Sequence, residues 1–215
     1  MSNKTTLSTA EKHRHDIIQY YRLHSHIYDA TRWSFLFGRT ALVKHIPSLP
    51  ANPQILEVGC GTGKNIIQLK QRFPDAQITG VDLSPHMLKK ARKKIADSST
   101  TFKKRHYSSD NLNKKNYDLI LFSYSLTMMG IEYSKIITRI KNDLSPNGYL
   151  AIVDFHTSPL SWFKNWMEIN HVDFSGNLYP RLENNFKSKQ ISFHRAYLGL
   201  WNYFQFIATK NKIPS

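Results

Sequence analysis

The sequence predicts an α/β protein with a doubly wound, mostly parallel seven-stranded sheet, an antiparallel C-terminal hairpin and an N-terminal helical lid. Three observations predict it. Between residues 54 and 155, short β-branched runs alternate with helical stretches, the pattern of right-handed strand–helix–strand crossovers. The first strand runs directly into a glycine-rich loop that opens a helix. The chain has 215 residues with 40% hydrophobic and 13% aromatic content, enough for one sizeable core and too little for two ordinary ones. The expected organisation is a lid over residues 1–50 and a core domain over residues 51–215.

The elements follow in order. Ser8-Thr9-Ala10-Glu11 has capping-box spacing, and Ile17, Ile27 and Tyr28 follow at roughly helical intervals, so a helix begins near residue 9. A second helical stretch covers Thr31 to Ile46, and Pro47, Pro50 and Pro53 then break regularity. Gln54 to Val58 reads as a strand, Lys64 to Phe73 as a helix and Ala76 to Val81 as a strand. Ser84-Pro85 opens a helix to about Ile95, with proline in a favoured first-turn position. Strands are expected at Thr101–Tyr107, Tyr117–Ser123 and Gly148–Phe155, with a helix over Tyr133–Leu144 before the last of them. After a helical segment near Trp162 to Asn170, the stretch Gln190 to Thr209 reads as two strands joined around Gly199.

Composition bounds the partners. One cysteine excludes a disulfide framework and suits a reducing cytosol. The first ten residues hold no apolar signal core, and no apolar run approaches the roughly 18 residues that span a bilayer. The expectation is therefore a cytoplasmic chain, neither secreted nor membrane-spanning. Its net charge of +15 is uneven. Lys89, Lys90, Arg92, Lys93, Lys94, Lys103, Lys104, Arg105, Lys114 and Lys115 crowd residues 84–116 against only Asp97 and Asp110. Such a patch draws a protein towards polyanions, nucleic acid or an anionic lipid surface, and equally serves as a solvated helix face.

The sharpest motif is Ile55-Leu56-Glu57-Val58-Gly59-Cys60-Gly61-Thr62-Gly63-Lys64-Asn65. Three glycines at alternate positions let the backbone turn tightly and approach a ligand, which then faces the free N–H groups of a helix start. The loop lacks the Gly-Lys-Ser/Thr ending of a triphosphate cradle, and its spacing is not the dinucleotide Gly-x-Gly-x-x-Gly. Asp82 lies nineteen residues after Gly63, at the carboxyl end of the second strand. An acid there can accept both ribose hydroxyls of an adenosine.

Through this loop, its spacing to Asp82 and the strand–helix context, the sequence resembles the Rossmann-like class I S-adenosylmethionine-dependent methyltransferases, over about residues 54–155 and the terminal hairpin. The resemblance implies S-adenosyl-L-methionine as cofactor, with Gly59, Gly61 and Gly63 around its methionine portion, Asp82 on the ribose, Leu83 and Met87 on the adenine, and Glu57, Thr62 and Ser123 as further cofactor-binding residues. Ser108 falls where the family usually has an acid for the adenine amino group, with Ser109 or Asp110 as substitutes. Ser123 to Leu126 would form the floor where substrate meets the methyl group. The floor reads Ser-Tyr-Ser-Leu rather than the Asp/Asn-Pro-Pro-Tyr/Phe of enzymes acting on nucleobase amines, which disfavours a nucleic-acid substrate. No close Asp/Asn/His set supports a metal.

His26 to Arg39, Phe122 to Met129 and Trp166 to Arg181 together resemble the bacterial diacylglyceryl-homoserine N-methyltransferases of betaine-lipid synthesis, relatives of soluble phosphatidylethanolamine N-methyltransferases. That resemblance implies a lipid amine substrate, a peripheral position at the inner face of the membrane, and Tyr28, Arg32 and Arg39 on the cofactor side of the lid. Trp33, Phe35, Leu36 and Phe37 read as packing. Tyr124, Asp154 and His156 are the candidate bases for deprotonating the amine. Tyr124, Phe155, Trp162 and Trp166 are candidate aromatic lining for a quaternary ammonium product. The competing expectations are another methyl acceptor, such as phosphatidylethanolamine, a quinone precursor or RNA, and a catalytically silent binding protein.

Overall fold

The structure is a computed structural model that describes residues 36–108, 116–129, 133–170 and 172–210. The expected helix from residue 9, most of the lid, and the candidates Tyr28, Arg32, Ser109 and Asp110 lie outside the described residues.

The chain runs α1 (Arg39–His45), β1 (Gln54–Val58), α2 (Lys64–Arg72), β2 (Gln77–Asp82), α3 (Pro85–Lys94), β3 (Thr100–Lys104) and β4 (Tyr117–Ser123). It continues with α4 (Tyr133–Asp143), β5 (Leu144–Phe155), α5 (Ser161–Ile169), α6 (Leu178–Glu183), β6 (Phe186–Ala196), a 3₁₀ turn (Tyr197–Gly199) and β7 (Trp201–Lys210). The seven strands form one sheet in the order β3-β2-β1-β4-β5-β7-β6. The first five are parallel, and β7 and β6 are added antiparallel. The order reverses between β1 and β4, and a doubly wound sheet opens its ligand crevice at the carboxyl ends of the strands on either side of such a reversal.

β1, β2 and β4 are buried nearly along their length, as parallel strands covered on both faces must be. One face packs Leu42 and Val43 of α1, Ile66 and Leu69 of α2, Leu88 of α3 and Phe163 of α5. The other packs Tyr133, Ile136, Ile137 and Ile140 of α4 with Leu178 and Leu182 of α6. The expected doubly wound α/β architecture and its C-terminal hairpin are therefore present.

Boundaries differ where packing outweighs local pattern. β5 begins at Leu144 rather than Gly148, because Leu144 pairs with Tyr117 before an irregularity in register. β3 ends at Lys104, and Tyr107, read as its last residue, instead lies buried edge-on against Phe122 at 5.6 Å. The hairpin starts at Phe186, four residues before the expected Gln190, and α6 has no counterpart in the sequence reading.

Candidate cofactor site

The glycine loop is fixed over the ends of β1 and β2. The N–H groups of Gly59 and Cys60 both donate to the Val81 carbonyl, at 2.8 and 3.0 Å, and Gly63 N–H donates to the Cys60 carbonyl at 2.9 Å. At Gly59 the backbone is left-handed (φ +74°) and a Cβ would stand 2.6 Å from Cβ of Ser125. That glycine is required by the neighbouring loop. Gly61 is different: its φ is +53°, and nothing lies within 4 Å of where its Cβ would be. It keeps open space open. Asp82 closes the turn, with one carboxylate oxygen accepting from Gly61 N–H at 2.8 Å and the other from Ser84 N–H at 2.8 Å. A carboxylate is an acceptor with room for several donors, so a hydroxyl is a suitable additional partner in kind.

This loop forms one side of a cavity of about 740 Å³, counting its open mouth, whose walls include Arg39, Glu57, Gly59, Gly61, Thr62, Met87 and Ser123. Glu57 is buried, and its Oε1 accepts from Nδ2 of Asn65 at 2.7 Å. Glu57 Oε2 and Asn65 Oδ1 are both buried acceptors that no hydrogen bond reaches. Burial pushes the Glu57 carboxyl up to about 8, against partial relief from Asn65 and Arg39. A positively charged donor would satisfy both acceptors and restore the carboxylate.

The floor loop is held from several sides. Tyr124 sits at φ +54° with its N–H donating to the Val153 carbonyl, and Ser125 Oγ donates to the Val58 carbonyl at 2.8 Å. Asp154 is fully buried beneath it. Its two oxygens accept from Leu126 N–H at 2.9 Å, Thr127 N–H at 3.3 Å, Thr127 Oγ1 at 2.5 Å and Phe155 N–H at 2.9 Å. Burial still raises the carboxyl to about 6. The Tyr124 ring is buried edge-on to Phe155 at 4.6 Å, its hydroxyl donates to the Phe37 carbonyl at 2.8 Å, and burial pushes its pKa well up.

The predicted residues therefore divide. Arg39, Glu57, Gly59, Gly61, Thr62, Met87 and Ser123 meet at one cavity, with Asp82 bonded to it through Gly61. Gly63 packs towards Ile95 and Ala91. Leu83 and Ser108 are part-buried away from that wall, and Ser108 Oγ lies 2.9 Å from Nδ1 of His106. His156 is also off the wall, among Tyr179, Phe193 and Phe204, where burial lowers its pKa. The proposed aromatic lining does not come together: Tyr124 and Phe155 are buried as a pair, whereas Trp162 and Trp166 are 64% and 49% exposed on α5. Leu36, Lys64, Asn65 and Lys94 are wall residues that the sequence reading missed. Asn65 carried a signal, since it precedes the inward-facing Leu69 by four helical positions.

Residues 55–148 match the family model described as "Methyltransferase domain". They are a class I methyltransferase domain. A Malonyl-[acyl-carrier protein] O-methyltransferase of Acetivibrio thermocellus is 32% identical over 111 residues, 48% of this chain and 39% of that protein. The chain thus spans well under half the length of this curated relative. In fold, the methyltransferase domain and its hairpin resemble a methyltransferase solved with the Trm112 activator of Haloferax volcanii, with TM-score 0.76, 11% identity and coverage of 93% and 99% of the two chains. A Haemonchus contortus Phospholethanolamine N-methyltransferase 2 gives TM-score 0.67 at 18% identity, covering 81% and 52%. Methyltransferase domains of this class use S-adenosylmethionine, and the two orphaned acceptors beside the open space at Gly61 fit a cofactor with an ammonium group.

Proposed function

We propose that the chain is an active S-adenosylmethionine-dependent methyltransferase whose acceptor is the amine headgroup of a lipid, diacylglyceryl-homoserine foremost. The observation that carries the activity is the pair of unpartnered buried acceptors, Glu57 Oε2 and Asn65 Oδ1, on a cavity walled by the glycine loop. When bound, the cofactor supplies an electrophilic methyl on a leaving group that needs no protonation. Glu57 and Asn65 would hold its ammonium, and Asp82 would accept from its ribose. Ser123, whose buried Oγ has no hydrogen-bond partner, faces the same cavity.

The state of the three candidate bases supports an acceptor that brings its own lone pair. Tyr124 has committed its proton to Phe37, Asp154 is enclosed by four donors, and His156 is off the cavity wall. An amine that has lost its proton to solvent needs none of them. The chain's task is then alignment and exclusion of water, and alignment alone supplies up to roughly 7–11 kcal/mol in favourable cases. The Haemonchus contortus enzyme of similar fold was solved with phosphomonomethylethanolamine, an amine, and this supports the reading.

A carboxylate acceptor has the same independence from a base. Arg39, Lys64 and Lys94 on the cavity wall favour that second reading, as does the malonyl relative. The test is transfer of labelled methyl from S-adenosylmethionine to diacylglyceryl-homoserine, phosphatidylethanolamine and a malonyl thioester, with Gly61→Arg as control. Label in the homoserine lipid, lost in the control, is expected. Label in the malonyl thioester alone overturns the lipid-amine reading in favour of the acid.

A further inference from the structure

At the carboxyl edge of the sheet, the edge where the cofactor loop sits, the protein exposes a continuous apolar ledge. Its base is a buried pair, Phe163 of α5 stacked on Trp201 of β7 at 5.5 Å. Trp162 and Trp166 flank Phe163 at 5.7 and 5.8 Å, and Tyr197 meets Trp201 at 5.0 Å. Phe37 closes the series against Tyr197 at 5.2 Å, next to Leu36 on the cavity wall. Ile169 is 77% exposed and Leu198, at the hairpin tip, is fully exposed. Trp162, Trp166 and Ile169 are spaced by four and three along α5, so they share one helical face.

The ledge is rigid. Ser158 Oγ donates to the Leu200 carbonyl at 2.7 Å, and Asn202 N–H donates to the Thr157 carbonyl at 2.7 Å, tying the start of α5 to the hairpin. The tip also carries local strain. Tyr197 and Leu198 are both left-handed, at φ +46° and +56°, ahead of Gly199. A β-hairpin tip is easily built from Asn and Gly. Here a leucine bears both the backbone cost and full exposure, a combination that persists where the surface has a use.

We infer that this ledge, made by the outer face of α5 and the β6–β7 tip, inserts into an anionic lipid surface and sets the cofactor cavity against it. The inference rests on the lipid-amine reading above and names the surface that would serve it. Charge selects the occupant. The chain carries +15, and Lys104 and Arg105 at the end of β3 and Arg195 at the end of β6 border the same edge, while Lys164 on α5 is paired with Glu168 at 3.8 Å. An anionic bilayer complements that charge, whereas a second copy of the chain repeats it. Ile169 and Leu198, the most exposed residues of the ledge, offer hydrocarbon, which suits acyl chains.

The full chain is tested by co-sedimentation with phosphatidylglycerol–phosphatidylcholine vesicles, with turnover followed on vesicle-borne homoserine lipid and on a short-chain soluble homologue. The expected result is binding, quenching of tryptophan fluorescence by brominated acyl chains, and about tenfold weaker partition for Ile169→Ser combined with Leu198→Asn. That double variant should keep its turnover on the soluble homologue. Leu198→Asn alone relieves a left-handed leucine, so it should match or exceed the wild type in Tm while binding less, a pairing that a purely structural leucine would not give. Equal partition of variant and wild type, or no vesicle binding by the wild type, overturns the ledge even if the soluble homologue is methylated. A ledge-dependent dimer overturns it in favour of a second copy, and binding seen only after removal of residues 1–35 assigns the ledge to that segment. Ledge-dependent binding with no lipid methylated in any form leaves the ledge standing and removes the lipid-amine reading.

Discussion

Glu57 is the residue on which cofactor and stability pull in opposite directions. Its carboxyl titrates at about 8 in the fold against 4.5 ordinarily. The folded chain therefore holds a proton that the unfolded chain has released. The stability this gives is complete below pH 4.5 and is lost as pH rises through about 8. Glu57→Gln removes the titrating group while its side-chain oxygen can still accept the hydrogen bond from Asn65 Nδ2, so its Tm should exceed that of the wild type at pH 8 and converge with it near pH 4, as thermal melts across pH will show. Cofactor binding has the reverse sign. A positively charged ligand favours the ionised carboxylate, so wild-type affinity should rise towards pH 8, and the Gln variant should lose both affinity and that pH dependence in calorimetric titrations.

Asp154 is buried as deeply but is fully hydrogen-bonded, and its substitution is therefore expected to act on structure. Asn in its place turns an NH₂ towards backbone donors, leaving one or more of them unmet at a cost of about 1–3 kcal/mol. Chemical denaturation of Asp154→Asn should show that loss. Since Asp154 fixes Leu126 and Thr127, kcat should fall with the floor's order, and the pH profile of kcat should keep its shape. A displaced acidic limb would make Asp154 the base after all.

At the scale of elements, two long-range hydrogen bonds tie the start of α1 to the rest of the fold, one from the floor loop and one from β7. Tyr124 Oη donates to the Phe37 carbonyl at 2.8 Å, and Gln205 Nε2 donates to the Gly38 carbonyl at 2.6 Å. These hold Leu36 and Arg39 in the cavity wall. Tyr124 is thus a positioning residue for the cofactor side. Tyr124→Phe should cost about 1 kcal/mol of stability, weaken cofactor binding several-fold and leave the pH dependence of turnover unchanged, which isothermal titration and rate profiles together will check. The alternation of strands and helices was legible because buried parallel strands are short β-branched runs and a glycine loop marks the turn from a strand into a ligand-facing helix. The site was legible where one segment supplies it, as at Glu57 to Gly63. It was not legible where tertiary placement decides. Lys94, the last residue of α3, reaches the wall only once the helix is packed on the sheet, and the base candidates Tyr124, Asp154 and His156 differ only in what surrounds them. α6 is six residues long with a proline inside it, too short to show a period.

At the scale of the whole molecule, the lysines of α3 and the apolar ledge lie on different elements. The exposed side of α3 presents Lys89 and Lys93, while Met87, Leu88 and Ala91 face the core. Arg92 belongs to the fold, since its guanidinium donates to the Phe102 carbonyl at 2.8 Å and lies 5.9 Å from that ring. The ledge of α5 and the hairpin tip lies towards the opposite end of the strand order. The two contributions to binding a polyanionic surface should therefore separate under salt. Each lysine near an anionic bilayer contributes about 1 kcal/mol, and screening shortens its reach from about 10 Å at 0.1 M salt to about 3 Å at 1 M. Lys89→Gln with Lys93→Gln should weaken vesicle binding at low salt, and the difference from wild type should vanish at high salt. Leu198→Asn should weaken it by a similar factor at both, because hydrocarbon burial is not screened. Against duplex RNA, the lysine pair should matter in the same salt-dependent way and Leu198→Asn should change nothing. If Leu198→Asn reduces RNA binding as much as vesicle binding, the tip is reading nucleic acid, and the acceptor must be sought there.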